Sequence, residues 1–164
     1  PIFYAELRGY GASADAYHLS SLAPGAEGSA RSMNAAIARA GLTPAEIDYV
    51  SAHATSTPGG DGEEAAAIAH VFAGNKAALH VSGVKSMVGH LLGGAGAMGA
   101  FAAVMAIHEK TIPPTINLEN IDPACAELGL NFTPNVAVKK DVRAALANSF
   151  GFGGTNASLV VARV

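Results

Sequence analysis

Cysteine, charge and basicity are all scarce in this chain. A single cysteine, Cys125, cannot close an internal disulfide, which excludes a disulfide-stapled scaffold and fits a reducing cytosol or the matrix of a plastid or mitochondrion. Charged residues make up only 14% of the sequence, against roughly 25% in a typical soluble domain. With 50% hydrophobic residues in 164 positions, the chain should bury more surface than a free-standing domain of its size requires. That excess points to a face covered by a partner or by further sequence. The net charge of −3 and pI of about 6.1 exclude the basic footprint of a nucleic-acid binder. A long unbroken apolar run is also missing. The stretch from Ser86 to Ile107 has no formal charge, but His90 interrupts it and its first third is polar and glycine-rich. A membrane span needs about 20 apolar residues, so this region reads as a buried helix between two sheets rather than a span. The chain starts Pro1-Ile2-Phe3 without an initiator methionine or signal-peptide pattern, and is expected to begin inside a longer polypeptide.

The hydrophobic pattern alternates between strand and helix. Phe3 to Ala12 reads as a strand closing in Gly9-Tyr10-Gly11, and 13–26 as an ordered surface loop. Ala30, Met33, Ile37 and Ala40 recur at helical spacing until Gly41, and Thr43-Pro44-Ala45-Glu46 is a capping box for one short turn. Tyr49 to Ala52 forms a strand ending at His53. A helix from about Asp61, with a capping-type Asp61/Glu64 spacing, runs to about Ala73. Leu79 to Ser82 is a strand, and Gly94 to His108 a small-residue helix stopped ahead of Pro113 and Pro114. Residues 115–140 read as irregular chain with a brief strand near Asn131-Phe132. Ala144 to Phe150 and Ala157 to Ala162 form a hairpin around Gly151 to Asn156. This order predicts one α/β domain over 1–164: a mostly parallel sheet covered on both faces, with the hairpin as its antiparallel edge.

Ligands of open α/β sheets gather beyond the carboxyl ends of strands. His53 lies there, with the Thr55 and Thr57 hydroxyls on the same exit loop, and His90 occupies a similar place after the next strand. A zinc site requires three or four ligands with closely spaced pairs, and this pair lacks them, so no metal is expected. Gly94-Ala95-Gly96-Ala97-Met98-Gly99 matches a dinucleotide fingerprint, with Glu119 further on, but no strand directly precedes it. Small residues allowing close helix–sheet approach explain it better. Cys125 stands among Asp122 and Glu127, where a reactive thiolate is disfavoured.

Three motifs in order are more specific. His53-Ala54-Thr55-Ser56-Thr57-Pro58 with Gly60-Asp61, then Lys85-Ser86-Met87-Val88-Gly89-His90, then Asn148 to Asn156 as Asn-Ser-Phe-Gly-Phe-Gly-Gly-Thr-Asn, resemble the C-terminal half of the elongating β-ketoacyl-[acyl carrier protein] synthases, as does Pro113 to Leu118. The likeness covers essentially the whole chain. It implies the thiolase fold, in which each of two halves carries a five-stranded mixed sheet and the complete enzyme is layered α-β-α-β-α. It implies that His53 and His90 donate hydrogen bonds to the thioester carbonyl of a malonyl-carrier protein, and that Lys85 supports them, paired with Glu64. Thr55 and Thr57 are expected to contact the phosphopantetheine arm, and Phe152 to gate the site and lend a backbone N–H to an oxyanion hole. Acyl carrier protein, the N-terminal half and a second copy are the implied partners, with no further cofactor. Two departures stand out. Ala54 replaces the family's usual glycine, straining the loop if a positive φ is required, and Ser51 replaces a common asparagine. The nucleophilic cysteine of the family belongs to the other half. Degradative thiolases are disfavoured by the lack of a cysteine in the glycine-rich hairpin, and chain-length factors by the presence of both histidines. A polyketide ketosynthase, or a non-catalytic dimerisation or carrier-binding half-domain, remains as an alternative.

Overall fold

The computed structural model describes residues 2–20 and 23–164. Its elements in chain order are β1 (Glu6–Ala14), α1 (Glu27–Arg39), β2 (Tyr49–Ser51), α2 (Pro58–Val71), β3 (His80–Ser82), α3 (Lys85–Val88), α4 (Ala95–His108), β4 (Thr111–Ile112), α5 (Pro123–Ala126), β5 (Val138–Lys139), β6 (Ala144–Gly151) and β7 (Thr155–Ala162). The main sheet has five strands in the order β1-β7-β6-β2-β3. The parallel pairs are β6–β2 and β2–β3, while β1–β7 and β7–β6 are antiparallel. The sheet is therefore mixed, as the family resemblance implies, and not mostly parallel. The closing hairpin is also not the edge: β6 sits at the centre, and β1 covers the outer side of β7.

Alternation along the strands assigns each residue to a helical layer. Val50, Leu146, Val81, Val160 and Ala144 pack beneath α1 and α2 with Met33, Ile37, Ile68 and Phe72. Tyr49, Ala145, Ala147 and Val161 face the other way, against Ala103, Ala106 and Ile107 of α4. Helices thus cover both faces. Fully burying a large apolar side chain contributes about 1.5–3 kcal/mol, and Phe72, Met33, Ile68 and Leu146 are each sealed from solvent.

Gly9 and Gly11 do not end β1. The strand runs on to Ala14, because both glycines lie where α1 crosses: a Cβ on Gly11 would stand 2.0 Å from the Ser32 carbonyl oxygen, and one on Gly9 2.1 Å from that of Ala36. The expected loop over 13–26 loses its first two residues to β1 and ends in a 3-10 turn at Pro24–Ala26; Ser21 and Leu22 within it lie outside the described residues. α1 and the Thr43–Glu46 capping box form as the pattern predicts. α2 starts three residues earlier than its acidic spacing suggests, at Pro58 after Thr57, since proline fits the first helical position. Residues 115–140 hold more structure than expected: α5 and β5, the latter antiparallel to β4, besides the isolated bridge of Asn131 to His80. Two-residue strands carry too little periodicity to be read from sequence.

α4 lies against the sheet on one side only. Gly99 faces the sheet, where its missing Cβ leaves ordinary contact distance of 3.6 Å to Ser51 Oγ, while Phe101 on the far side is 58% exposed. Among the described residues, no helix is long and apolar enough to cross a membrane.

Candidate active site

The site grows from three chain segments on the neighbouring parallel strands β6, β2 and β3. β2 ends at Ser51 and delivers His53; β3 ends at Ser82 and leads through α3 to Lys85 and His90; β6 carries Asn148 and Phe150 alongside. The two imidazoles meet edge to face, with centroids 5.9 Å apart and planes at 88°. Phe150 packs on His53 with centroids 5.7 Å apart. Sequence reasoning placed the gate at Phe152 and passed over Phe150, although Phe150 continues the inward alternation of Ala144, Leu146 and Asn148 along β6.

Hydrogen bonding fixes the tautomers. The backbone N–H of Leu92 donates to His90 Nδ1 at 3.0 Å, so the ring proton of neutral His90 resides on Nε2. Lys85 Nζ lies 3.5 Å from His53 Nδ1 and also donates to the His53 carbonyl oxygen. An ammonium can only donate, which leaves the neutral His53 ring with its proton on Nε2 as well. Burial, then the positive Lys85 and then His90, hold the His53 pKa down at about 4. At neutral pH His53 is thus an uncharged N–H donor rather than an acid.

Glu64 organises the His53 loop from beneath. It is 4% exposed, and its carboxylate accepts the N–H of His53 at 2.8 Å through Oε1 and that of Ala54 at 2.8 Å through Oε2. Asn148 Nδ2 donates to Oε1 at 3.1 Å. Burial pushes the Glu64 pKa up, and these donors together with Lys85 oppose that push. The spacing from Asp61 is therefore not a capping box. Asp61 instead accepts the Ser56 N–H at 3.0 Å. Nor is Lys85 paired directly with Glu64; among the described residues no ion pair joins them, and the His53 peptide stands between, held by the carboxylate at its N–H and by the ammonium at its carbonyl. Burial lowers the Lys85 pKa, against the attraction of Glu64 and Asp61.

Ala54 adopts φ 35° and Ser56 φ 62°. The positive φ that would favour glycine is present, and Ala54 bears its strain. Its methyl group fits because Gly83 opposes it: a Cβ there would lie 2.6 Å from that of Ala54. Thr55 and Thr57 turn their hydroxyls to each other at 3.1 Å on the outer part of the loop. Phe152 is 83% exposed at the tip of the β6–β7 hairpin, followed by Gly153 and Gly154 at φ 81° and 74°. That tip is tied to the segment after β1. Gly153 N–H donates to the Leu19 carbonyl at 2.7 Å, and Asn156 Nδ2 to Asp15 Oδ1 at 2.6 Å. Cys125 lies on α5 at a separate cavity of about 270 Å³ lined by Ala54, Asp61, Glu64 and Ile121, which neither histidine lines. Burial and the neighbouring Asp122 and Asp61 push its thiol up, as expected for an unreactive cysteine. Among the described residues no group of three or more His, Cys, Asp or Glu side chains is arranged to hold a metal ion.

His53, His90 and Lys85 thus meet beyond the ends of the adjacent parallel strands β2 and β3 of a five-stranded mixed sheet. The chain belongs to the β-ketoacyl synthase C-terminal domain family, whose model matches residues 4–119. It is 48% identical over 161 residues to 3-oxoacyl-[acyl-carrier-protein] synthase 2 of Coxiella burnetii, covering 98% of this chain and 38% of that protein. The mitochondrial 3-oxoacyl-[acyl-carrier-protein] synthase of Arabidopsis thaliana is 47% identical over 164 residues, covering 98% and 35%. Among solved structures, a β-ketoacyl synthase from Burkholderia phymatum superposes with a TM-score of 0.91 at 37% identity, covering 99% of this chain and 38% of that one. A type II polyketide ketosynthase, solved with its acyl-carrier protein, gives 0.92 at 34% identity, covering 98% and 39%. The chain thus spans less than two fifths of the length of each of these four relatives.

Proposed function

We propose that this chain is the histidine-bearing half of a β-ketoacyl-[acyl carrier protein] synthase that works in fatty-acid elongation. The reaction is a decarboxylative condensation of malonyl-carrier protein with an acyl group held on a cysteine of the other half. The observation that carries this reading is the pairing of His53 and His90, each with Nδ1 engaged and Nε2–H free to donate. Two convergent Nε2–H donors suit an enolate. As carbon dioxide leaves the malonyl thioester, the carbonyl oxygen gains negative charge and both Nε2–H groups strengthen their hold on it. The enolate carbon then attacks the acyl thioester, and the cysteine sulfur departs as thiolate.

Lys85 and Glu64 serve this by fixing the His53 peptide from both sides. Thr55 and Thr57 would line the phosphopantetheine arm, and Phe152 on its glycine-flanked tip would gate the acyl cysteine, with its N–H in the oxyanion hole. The synthase in this reading binds an acidic acyl carrier protein, forms a homodimer and uses no further cofactor. The names of the curated relatives favour fatty-acid elongation, whereas a type II polyketide ketosynthase among the structural neighbours supports a second reading with the same chemistry on a different chain.

The test is malonyl-carrier-protein decarboxylation by the complete synthase. His90→Ala and His53→Ala should each lower kcat by about 10²–10³; an unchanged rate for either removes that histidine from the mechanism. Extension of saturated acyl primers, rather than poly-β-keto chains, distinguishes the two pathways.

A further inference from the structure

Beneath the Glu64 carboxylate runs a buried line of polar groups that the mechanism above does not use. Ser32 on α1, Ser158 on β7 and Asn148 on β6 all lie within an otherwise apolar layer, and each is at most 4% exposed. Ser158 and Asn148 are directly opposed in the antiparallel register, with their side chains on the α1 face. Ser158 Oγ stands 2.8 Å from Asn148 Oδ1 and 3.0 Å from Ser32 Oγ.

The directions of these bonds follow from what each end can do. The Glu64 oxygens accept two peptide N–H groups, so they are acceptors, and the Asn148 amide must present Nδ2–H to Oε1 at 3.1 Å. Its Oδ1 then faces Ser158, whose single proton is committed to it. The Ser32 proton is shared between Ser158 Oγ and the Ser29 carbonyl at 2.9 Å. The line is polarised towards the carboxylate that holds the His53 loop. Position 148 needs a donor on one side and an acceptor on the other, and an asparagine amide supplies both.

We infer that Asn148 is a positioning residue for His53: it donates the third hydrogen bond that holds the Glu64 carboxylate beneath the His53 and Ala54 N–H groups, and it ties that carboxylate to β7 and α1. This inference rests on the proposed decarboxylation only for its kinetic readout. The residue touches neither substrate nor the reacting atoms and acts through Glu64.

Asn148→Asp separates this role from simple packing. A protonated aspartic acid keeps the two bonds of the line, an O–H donor for Glu64 and a carbonyl acceptor for Ser158, and gives up only the weak N–H contact to Met33 Sδ at 3.4 Å. Once deprotonated it sets a second carboxylate about 3.1 Å from the first, and two carboxylates at that distance do not both ionise readily. The charged or titratable groups facing the pair are Lys85 from α3 and His53 from the loop after β2, with Asp61 of α2 next along. From α1 and β7 the groups against Asn148 are Met33, Ser32 and Ser158, all uncharged.

In the complete synthase, the kcat of Asn148→Asp relative to wild type should be near one at about pH 6 and fall by about tenfold by pH 8.5, each pH unit above the shared pKa costing up to tenfold. Its thermal midpoint should fall over the same interval. Asn148→Ala should lower kcat by a factor independent of pH. Parallel pH profiles for Asn148→Asp and wild type, or the same pH-independent loss in both variants, overturn the inference. So does failure of Asn148→Asp to fold at about pH 6, where the protonated side chain should substitute for the amide. A wild-type synthase that does not decarboxylate malonyl thioester defeats the proposed function instead, and the thermal midpoints then decide the role of Asn148 alone.

Discussion

Acidification measures how strongly the site holds the proton off His53. An unfolded histidine takes up a proton near pH 6.5, whereas in the folded chain burial, Lys85 and His90 delay this to about pH 4. Between these values the unfolded state binds more protons, so stability rises with pH across the window and falls as the solution is acidified. Above pH 6.5 the group contributes nothing to the pH dependence; below about 4 its destabilising effect is complete. Each pH unit of displacement corresponds to about 1.36 kcal/mol, so the full interval would be about 3.4 kcal/mol. His53 is only partly buried, and solvent screening reduces this to roughly 2 kcal/mol. The comparison is urea unfolding of wild type and His53→Gln at several pH values between about 4 and 7.5, which cancels the titration of other groups. Wild type should lose about 2 kcal/mol relative to the variant on going from neutral to the acid end. NMR titration of the His53 ring gives the pKa directly. A flat difference between the two proteins, or a His53 pKa at or above 6.5, refutes the argument that this imidazole is a neutral donor by construction.

Other perturbations test the frame around the site. Glu64→Gln turns an amide NH₂ towards either the His53 or the Ala54 N–H, leaving a buried donor unpaired; calorimetry should show a loss of about 1–3 kcal/mol, and no measurable loss contradicts the assigned geometry. Gly11→Ala drives a methyl group to 2.0 Å from the Ser32 carbonyl and should destabilise by about 1–3 kcal/mol or more, read as a lowered urea midpoint. Gly99→Ala is the converse. Its methyl would sit 3.6 Å from Ser51 Oγ in a helix interior and should stabilise by about 0.5–1 kcal/mol, measurable as a raised thermal midpoint.

The sequence alone determined the alternation of strands and helices, the exit-loop positions of His53 and His90, the α1 periodicity and its stop at Gly41, and the unreactive setting of Cys125, because these depend on neighbours a few residues apart. Family resemblance supplied the mixed five-stranded sheet that local pattern had read as mostly parallel. It could not supply the order of strands, since a hairpin looks the same in sequence at an edge and at the centre. Only the fold put β6 in the middle of the sheet, bringing Asn148 to Glu64 and Phe150 to His53 across separations that no periodicity reports. The Asp61/Glu64 spacing shows the limit most plainly. The same four residues satisfy a capping rule and a tertiary one, and burial decides between them: inside the protein, the Glu64 carboxylate binds the N–H groups of loop residues eleven and ten positions upstream in place of its own helix end.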